Sequence, residues 1–403
     1  MAPPGRPPPD DLIPDILVHL APDDPAGIIR AAAVCKSWRR ILADPAFAAR
    51  YRALHPSPPV LGFLHRPVGL RVARFVPTPA TSFRPSPSAV QRSRHPLDCR
   101  HGRALFYDYD FHSTAGFVVW DPVTGDHHNV PEASDPWTQL AVLCGCASAG
   151  CGNHRACGGG GAFIVAVAGV EDTGDGYSDF HASLYSSDTG RWSMDLYIHL
   201  GHKARCGLVE DRPAALVGDS LYFVTESGGL LRYRYGLVHR LGNEGFLRPG
   251  GYREADVLSV VEPPPPGKKR FGNVFAMAAE DGGIGLASLY KNSGRLYLWG
   301  REATAGGRWV QRRVIDLREM LPVGNNPSRR PRLSGVAEDG SAIFVSTDDG
   351  VFTVGLTGSS SSQARKVSEV GNVDVLYPFM SFYTESLLLK LASGEIAVPV
   401  GDH

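Results

Sequence analysis

Apolar residues recur every three or four positions through the first 55 residues of the chain, then switch to short bursts and alternation through the rest. The first rhythm is that of amphipathic helices, which bury one face. Leu12, Ile16, Leu17 and Leu20 fall on one side of a first predicted helix; Ile28, Ala32, Cys35, Trp38 and Leu42 continue the stripe, and Phe47, Tyr51 and Leu54 form a third. Start signals accompany them: Asp10 or Asp11 before the first, then Asp24-Pro25 and Asp44-Pro45, each placing a side-chain acceptor at the N-cap and proline at N1. Pro14 lies in the first turn, where a missing N–H is tolerated. Three or four short helices are predicted.

From Pro56 the texture changes. His55-Pro56-Ser57-Pro58-Pro59 cannot continue a helix, and residues 77–87 are rich in proline, serine and threonine without periodicity. Short apolar strands and tight turns follow, such as residues 116–120 before Thr124-Gly125, and Leu184-Tyr185 before Thr189-Gly190. Leu231, Tyr233 and Tyr235 alternate with Arg232 and Arg234, which predicts a half-buried strand. No long helical pattern returns, so the second part reads as nearly all β.

Comparing hairpins brings out a repeat. SLYFVTESGGLL from Ser220 and SAIFVSTDDGVF from Ser341 match in residue character at an offset of 121 positions, and LASLYKNSGRLYL from Leu286 lies between them. Units of about 60 residues result. GRWSMDL from Gly190, GRWVQRRVIDL from Gly307 and ARKVSEV from Ala364 add a further strand, making four strands per unit. The predicted architecture is a small all-α N-terminal module plus a large all-β, propeller-like domain of about six four-stranded blades. A β-sandwich or two smaller β domains fit the same strands. The boundaries read as a Pro-rich tail over 1–8, a helical module over 9–55, a Pro/Ser-rich linker over 56–100 with a ring-closing strand at 60–64, and the β domain over 101–403.

Composition narrows the function. Forty-one basic residues balance 41 acidic ones in 403, so no overall basic field draws the chain to nucleic acid or a membrane surface. No apolar run reaches membrane-spanning length and the N-terminus lacks a signal-peptide core, so an intracellular protein, cytoplasmic and/or nuclear, is expected. The basic stretches 267–270 and 328–332 read as solvated loops, with a nuclear signal as the alternative. Seven cysteines, an odd count, suit reduced thiols. Cys144, Cys146, Cys151, His154 and Cys157 cluster, but one residue separates the first pair and glycines surround the rest, unlike a zinc knuckle. No metal or cofactor is expected. Phosphate-loop, nucleophile-elbow and HExxH signatures are missing, which leaves no positive case for an enzyme, although a propeller can assemble a site from scattered residues.

The strings PDDLIPDILVHLAPDD and AAAVCKSWRRILADPAF resemble the F-box, most specifically through Val34-Cys35-Lys36-Ser37-Trp38-Arg39. The remainder resembles, more diffusely, the F-box-associated β domain of the large plant families. The family's usual opening Leu-Pro is replaced here by Pro8-Pro9, which removes one apolar contact. What the resemblance implies is a non-enzymatic substrate receptor of an SCF-type cullin-RING ubiquitin ligase. Its F-box would bind a Skp-type adaptor, and through it cullin, while the β domain would bind an unknown protein substrate. Pro9, Leu12, Ile16, Leu17, Leu20, Pro22, Val34, Cys35 and Trp38 are the adaptor-binding candidates, with an internal core role the alternative, above all for Cys35 and Trp38. A non-degradative scaffold, or a propeller hydrolase or lectin with a vestigial F-box, remain the other readings.

Overall fold

The computed structural model describes residues 10–22, 24–55, 57–67, 69–70, 72–79, 81, 83–85, 94–108, 116–133, 139–145, 161–172, 177–200, 207–246, 253–265, 271–290, 294–302, 307–321, 330–356 and 364–382. Four helices open the chain: α1 (Ile13–Leu17), α2 (Pro25–Val34), α3 (Lys36–Leu42) and α4 (Pro45–Leu54). Two begin as their sequence signals predict. Asp24 accepts a hydrogen bond from the Gly27 amide at 3.1 Å, and Asp44 from that of Ala46 at 2.8 Å, with proline next in each. The first does not: Asp10–Leu12 is a 3-10 turn, and α1 follows with Leu12 at its N-cap and no side-chain cap. Ile13, Leu17, Val18, Ile28, Ala32, Leu42 and Tyr51 bury against one another, while Leu54, the last of the third stripe, faces solvent.

The rest of the chain forms six antiparallel sheets around a ring. Blade one holds β3 (Arg94–Arg100), β4 (Arg103–Asp108), β5 (Phe117–Trp120) and β6 (His127–Val130). Blade two holds β7 (Gln139–Cys144), β8 (Phe163–Asp172), β9 (Ser178–Ser186), β10 (Arg191–Trp192) and β11 (Leu196–His199), the last two both pairing with β9. Blade three comprises β12 (Ala215–Val217), β13 (Ser220–Val224), β14 (Leu230–Tyr233) and β15 (Leu258–Val261). Blade four comprises β16 (Phe271–Ala278), β17 (Ile284–Tyr290), β18 (Arg295–Arg301) and β19 (Trp309–Asp316). Blade five comprises β20 (Arg332–Val336), β21 (Ala342–Thr347), β22 (Gly350–Gly355) and β23 (Ala364–Ser368). The sixth joins the two ends of the domain: β1 (Val60–His65) pairs with β2 (Arg74–Pro77) on one side and β24 (Leu376–Met380) on the other.

Six apolar cores, one between each pair of neighbouring blades, close the ring. Alternation within single strands builds them. In β13, Leu221 and Phe223 point toward blade two, whereas Tyr222 and Val224 point toward blade four. In β1, Leu61 and Leu64 pack with blade one and Phe63 with blade five. Both faces of most strands are therefore covered, and the domain is a six-bladed propeller built on a four-stranded repeat. The three matching sequence strings are the second and third strands of blades three, four and five.

Three expectations need correction. The 56–100 stretch is not simply a linker: besides the expected ring-closing strand, found as β1, it carries β2 and β3, so the β domain begins at Val60 rather than at 101. Prolines obscured β2 and β3, yet Pro77 ends the edge strand β2 and Pro96 sits where the β3–β4 register shifts, both places that tolerate a missing donor. The strand containing Leu231 and Tyr233 stops at Tyr233, and Tyr235 opens a helix, Tyr235–Phe246. Helix thus returns within the β part, there and in the short turns Glu254–Val257 and Leu317–Met320.

Candidate interaction surfaces

On the helical module, the structure divides the predicted contact residues into two groups. Leu12 and Ile16, four positions apart, expose 46% and 49% of their surface, and Val34 exposes 61%. Their exposed side chains leave apolar area on the module that a partner can cover. Cys35 is also exposed; its thiol caps α3 by accepting from the Trp38 amide at 3.5 Å. Leu20 and Trp38 lie partly buried against the module's own core, and Pro22 is half-buried. Pro9 lies outside the described residues. Leu17 is a correction: at 1% exposure it is internal, because it occupies the inner side of α1 while Ile16, one position earlier, turns outward.

A residue that sequence reasoning missed fixes the module to the propeller. Phe382, two positions beyond β24, buries in the module core and meets Tyr51 edge-on with ring centroids 6.1 Å apart. Tyr51 donates its hydroxyl to the Leu20 carbonyl at 2.8 Å, and the His55 Nε2 lies 3.1 Å from the Val18 carbonyl. Register assigns a face to this contact. Val60 is opposite Met380 at one end of the β1–β24 pair, and His65 is opposite Leu376 at the other. The module therefore sits at the face where β24 ends.

Toward that face, a buried polar cluster joins the inner strands. Arg100 Nε donates to Asp98 at 2.8 Å, its Nη2 donates to the Ala214 carbonyl, and Asp98 accepts from the Val142 amide at 2.9 Å. His101 and Gly102 make the β3–β4 turn with φ of 52° and 74°, as a two-residue hairpin of the right twist requires. That turn aims His101 Nε2 at Glu338, 3.0 Å away, while its backbone N–H donates to the other carboxylate oxygen at 3.0 Å. The Cys144 amide donates to Nδ1 at 3.1 Å, so Nδ1 carries no proton and Nε2 holds it. Burial pushes the Glu338 carboxyl up, but the His101 and Arg100 contacts outweigh it and hold the group below the usual range. Burial also raises the Cys99 thiol well above its ordinary value, leaving it unreactive. Blades one, two, three and five meet in this cluster, whose chemistry is structural.

At the opposite face, a cavity of about 410 Å³ opens among the starts of the inner strands. Arg66, Gly69, Leu70, His95, Pro96, Asp211, Asp374, Val375 and Tyr377 line it. His95 Nε2 lies 2.9 Å from Asp211, and that hydrogen bond holds the Asp211 carboxyl below its usual range. Arg332 pairs with Asp374. Arg212 follows Asp211, with its guanidinium 4.6 Å from the Phe275 ring centroid and a buried Nη1 that has no hydrogen-bond partner. No local motif announces this site, since its residues come from blades one, three and six, and several of them from the stretch read as a linker.

Among the described residues, no three His, Cys, Asp or Glu side chains are placed to hold a metal. Of the cysteine-rich stretch only Cys144 is described, buried in β7; Cys146, Cys151, His154 and Cys157 lie outside the described residues. No helix among the described residues is long and apolar enough to cross a membrane.

Comparison with known proteins agrees at the N-terminus, where residues 9–52 match the F-box-like family. No relative is found among curated proteins. Among solved structures, the chain is similar to a functionally unknown protein from Desulfotomaculum acetoxidans DSM 771, at 11% identity over 77% of this chain and 80% of that one, with a TM-score of 0.40. It is also similar to the WD40 domain of SCAP from fission yeast, at 12% identity over 73% and 60%, with a TM-score of 0.33. An F-box-like domain joined to a propeller fits a substrate adaptor in general.

Proposed function

We propose that this protein is the interchangeable substrate receptor of an SCF-type cullin-RING ubiquitin ligase, of the kind found in the large plant F-box families. The observation that carries the reading is the exposure of Leu12, Ile16 and Val34 on a module whose own core is already complete. A Skp-type adaptor would cover those side chains, and each fully buried aliphatic contributes about 1.5–3 kcal/mol. The propeller, fixed to the module through Phe382, then holds the substrate at a set distance from the ligase. Its role is recognition; catalysis belongs to the partner enzymes.

Co-purification with a Skp-type adaptor and cullin is the test. Ile16→Asp and Val34→Asp place carboxylates where the partner would bury them without a counter-charge, so capture should be lost while melting is unchanged. Adaptor recovered at wild-type yield with both variants would overturn the proposal. Ubiquitin transfer to a captured substrate in the reconstituted complex separates a degradative receptor from a scaffold.

A further inference from the structure

The helix that interrupts the β part, Tyr235–Phe246, adds a charge to blade three. Its Gly236 amide donates to the Asp219 carbonyl at 3.1 Å, and its Arg240 donates Nη2 to the Asp219 carboxylate at 3.1 Å, beside Arg234 Nη2 at 3.2 Å. Ser220 Oγ donates to the other carboxylate oxygen at 3.0 Å. Burial pushes the Asp219 carboxyl up, but these contacts outweigh it and hold the group below its usual range. Residues of its own blade thus occupy Asp219.

Two further arginines are left without a carboxylate. Arg232 stands opposite Tyr222 in the β13–β14 register, and Tyr222 points toward blade four. Arg301 ends β18 of blade four, two positions after Trp299, which buries in the core between the two blades. Arg232 Nε donates to Ser220 Oγ at 3.1 Å and Arg301 Nε to the Gly307 carbonyl at 3.0 Å. Each side chain is half-buried and held through Nε by a neutral acceptor, and the Nη groups have no partner among the described residues. The Tyr222 phenol lies within electrostatic range of both guanidinium groups, of Arg234 and of Asp219. Arg232, Arg234, Arg240 and Arg301 therefore surround one carboxylate, Asp219, a surplus of three positive charges, while the Arg253–Asp256 pair balances itself. Guanidinium is the group whose planar fork suits carboxylate and phosphate oxygens.

This seam lies where β12 ends and β13 begins, at the end of the inner strands on which the helical module also sits, and so apart from the cavity at the other face. Half-buried along the surface, its free forks are within reach of side chains laid across the seam, and a surplus of three calls for more than one anionic group. We propose that the seam between blades three and four is an anion-binding surface, and that its occupant is an acidic segment of a protein partner whose neighbouring carboxylate or phosphate groups are received by Arg232 and Arg301. The assignment stands without the receptor reading.

Fluorescence anisotropy with the full chain tests it, using labelled Gly/Ser-rich peptides whose central pair is glutamate, phosphoserine or serine. The glutamate or phosphoserine peptide should bind more tightly than the serine peptide by about tenfold or more, and the tighter of the two identifies the anionic group. Arg232→Gln and Arg301→Gln should each cut that preference to about threefold or less, and Arg232→Lys, which keeps the charge, should retain more of it than Arg232→Gln. Arg191→Gln removes an exposed arginine from β10 of blade two and should leave the preference intact. Melting of each variant verifies the fold, and should Arg232→Gln unfold the chain, Arg301→Gln carries the test. Serine peptide bound as tightly as the acidic ones, a preference that survives Arg301→Gln, or an equal loss in Arg191→Gln would each overturn the assignment.

Discussion

Two neighbouring side chains, Ile16 and Leu17, show how one helical step separates a surface role from a structural one. Ile16→Asp is predicted to remove adaptor binding and keep the fold, whereas Leu17→Ala empties a fully packed position at a cost of about 2–5 kcal/mol. Helical content of the full chain should fall with temperature earlier in the Leu17 variant alone; equal melting of the two would show that α1 is rotated from its assigned register. His65 carries a pH effect of definite sign. It is 3% exposed, its Nε2 lacks a hydrogen-bond partner, and burial, with Arg74 nearby, lowers its pKa from 6.5 to about 4. Between those values the unfolded chain binds more protons than the folded one. Stability contributed by neutral His65 is therefore complete above pH 6.5 and is lost as pH falls toward 4, by on the order of 3 kcal/mol in all. Denaturant midpoints across that window should slope downward with acid, and His65→Gln should flatten the slope; an unchanged slope would assign it to other groups.

At the scale of elements, β1 is the segment on which closure depends, since it feeds Leu61 and Leu64 to one inter-blade core and Phe63 to the next. Each of these is fully buried, worth about 1.5–3 kcal/mol. A chain starting at residue 57 uncovers Phe382 on the propeller side and should keep a sharp thermal transition, lowered slightly. One starting at residue 67 lacks β1, leaves β24 as an open edge and should lose cooperativity or aggregate. If calorimetry finds the shorter chain melting as high and as sharply as the longer, the ring does not depend on its closing strand. The apolar run over 60–64 made this closing strand legible in the sequence, whereas the prolines around β2 and β3 concealed those two. The helix at Tyr235–Phe246 was concealed differently: the alternation of Leu231, Tyr233 and Tyr235 runs across a strand end, and both residues after Leu231 bury in the same core although only one is in the strand.

For the molecule as a whole, module and cavity lie at opposite faces of one rigid ring. Adaptor capture at the module is therefore predicted to be indifferent to a change at the cavity: Asp211→Asn should leave adaptor yield unchanged, as expected of sites lacking a two-state element between them. A lowered adaptor yield in Asp211→Asn would reveal coupling through the buried Asp98, Arg100, His101 and Glu338 cluster, which joins several blades toward the module.

Local chemistry was enough to determine the module, because caps, prolines and helical spacing act within a few residues of one another, and enough to expose the blade repeat, because a strand-turn-strand unit recurs with the same apolar alternation. The sequence also carried the apolar residues of the adaptor face but could not divide them, since Ile16 and Leu17 differ only in which way a helix of five residues is turned. Only the tertiary structure decided ring closure, the burial of Phe382 in the module, and the cavity. Each depends on residues far apart in the chain, as Arg66, His95, Asp211 and Asp374 are, and their meeting is fixed by the packing of six sheets around an axis, for which no short stretch of sequence holds a signal.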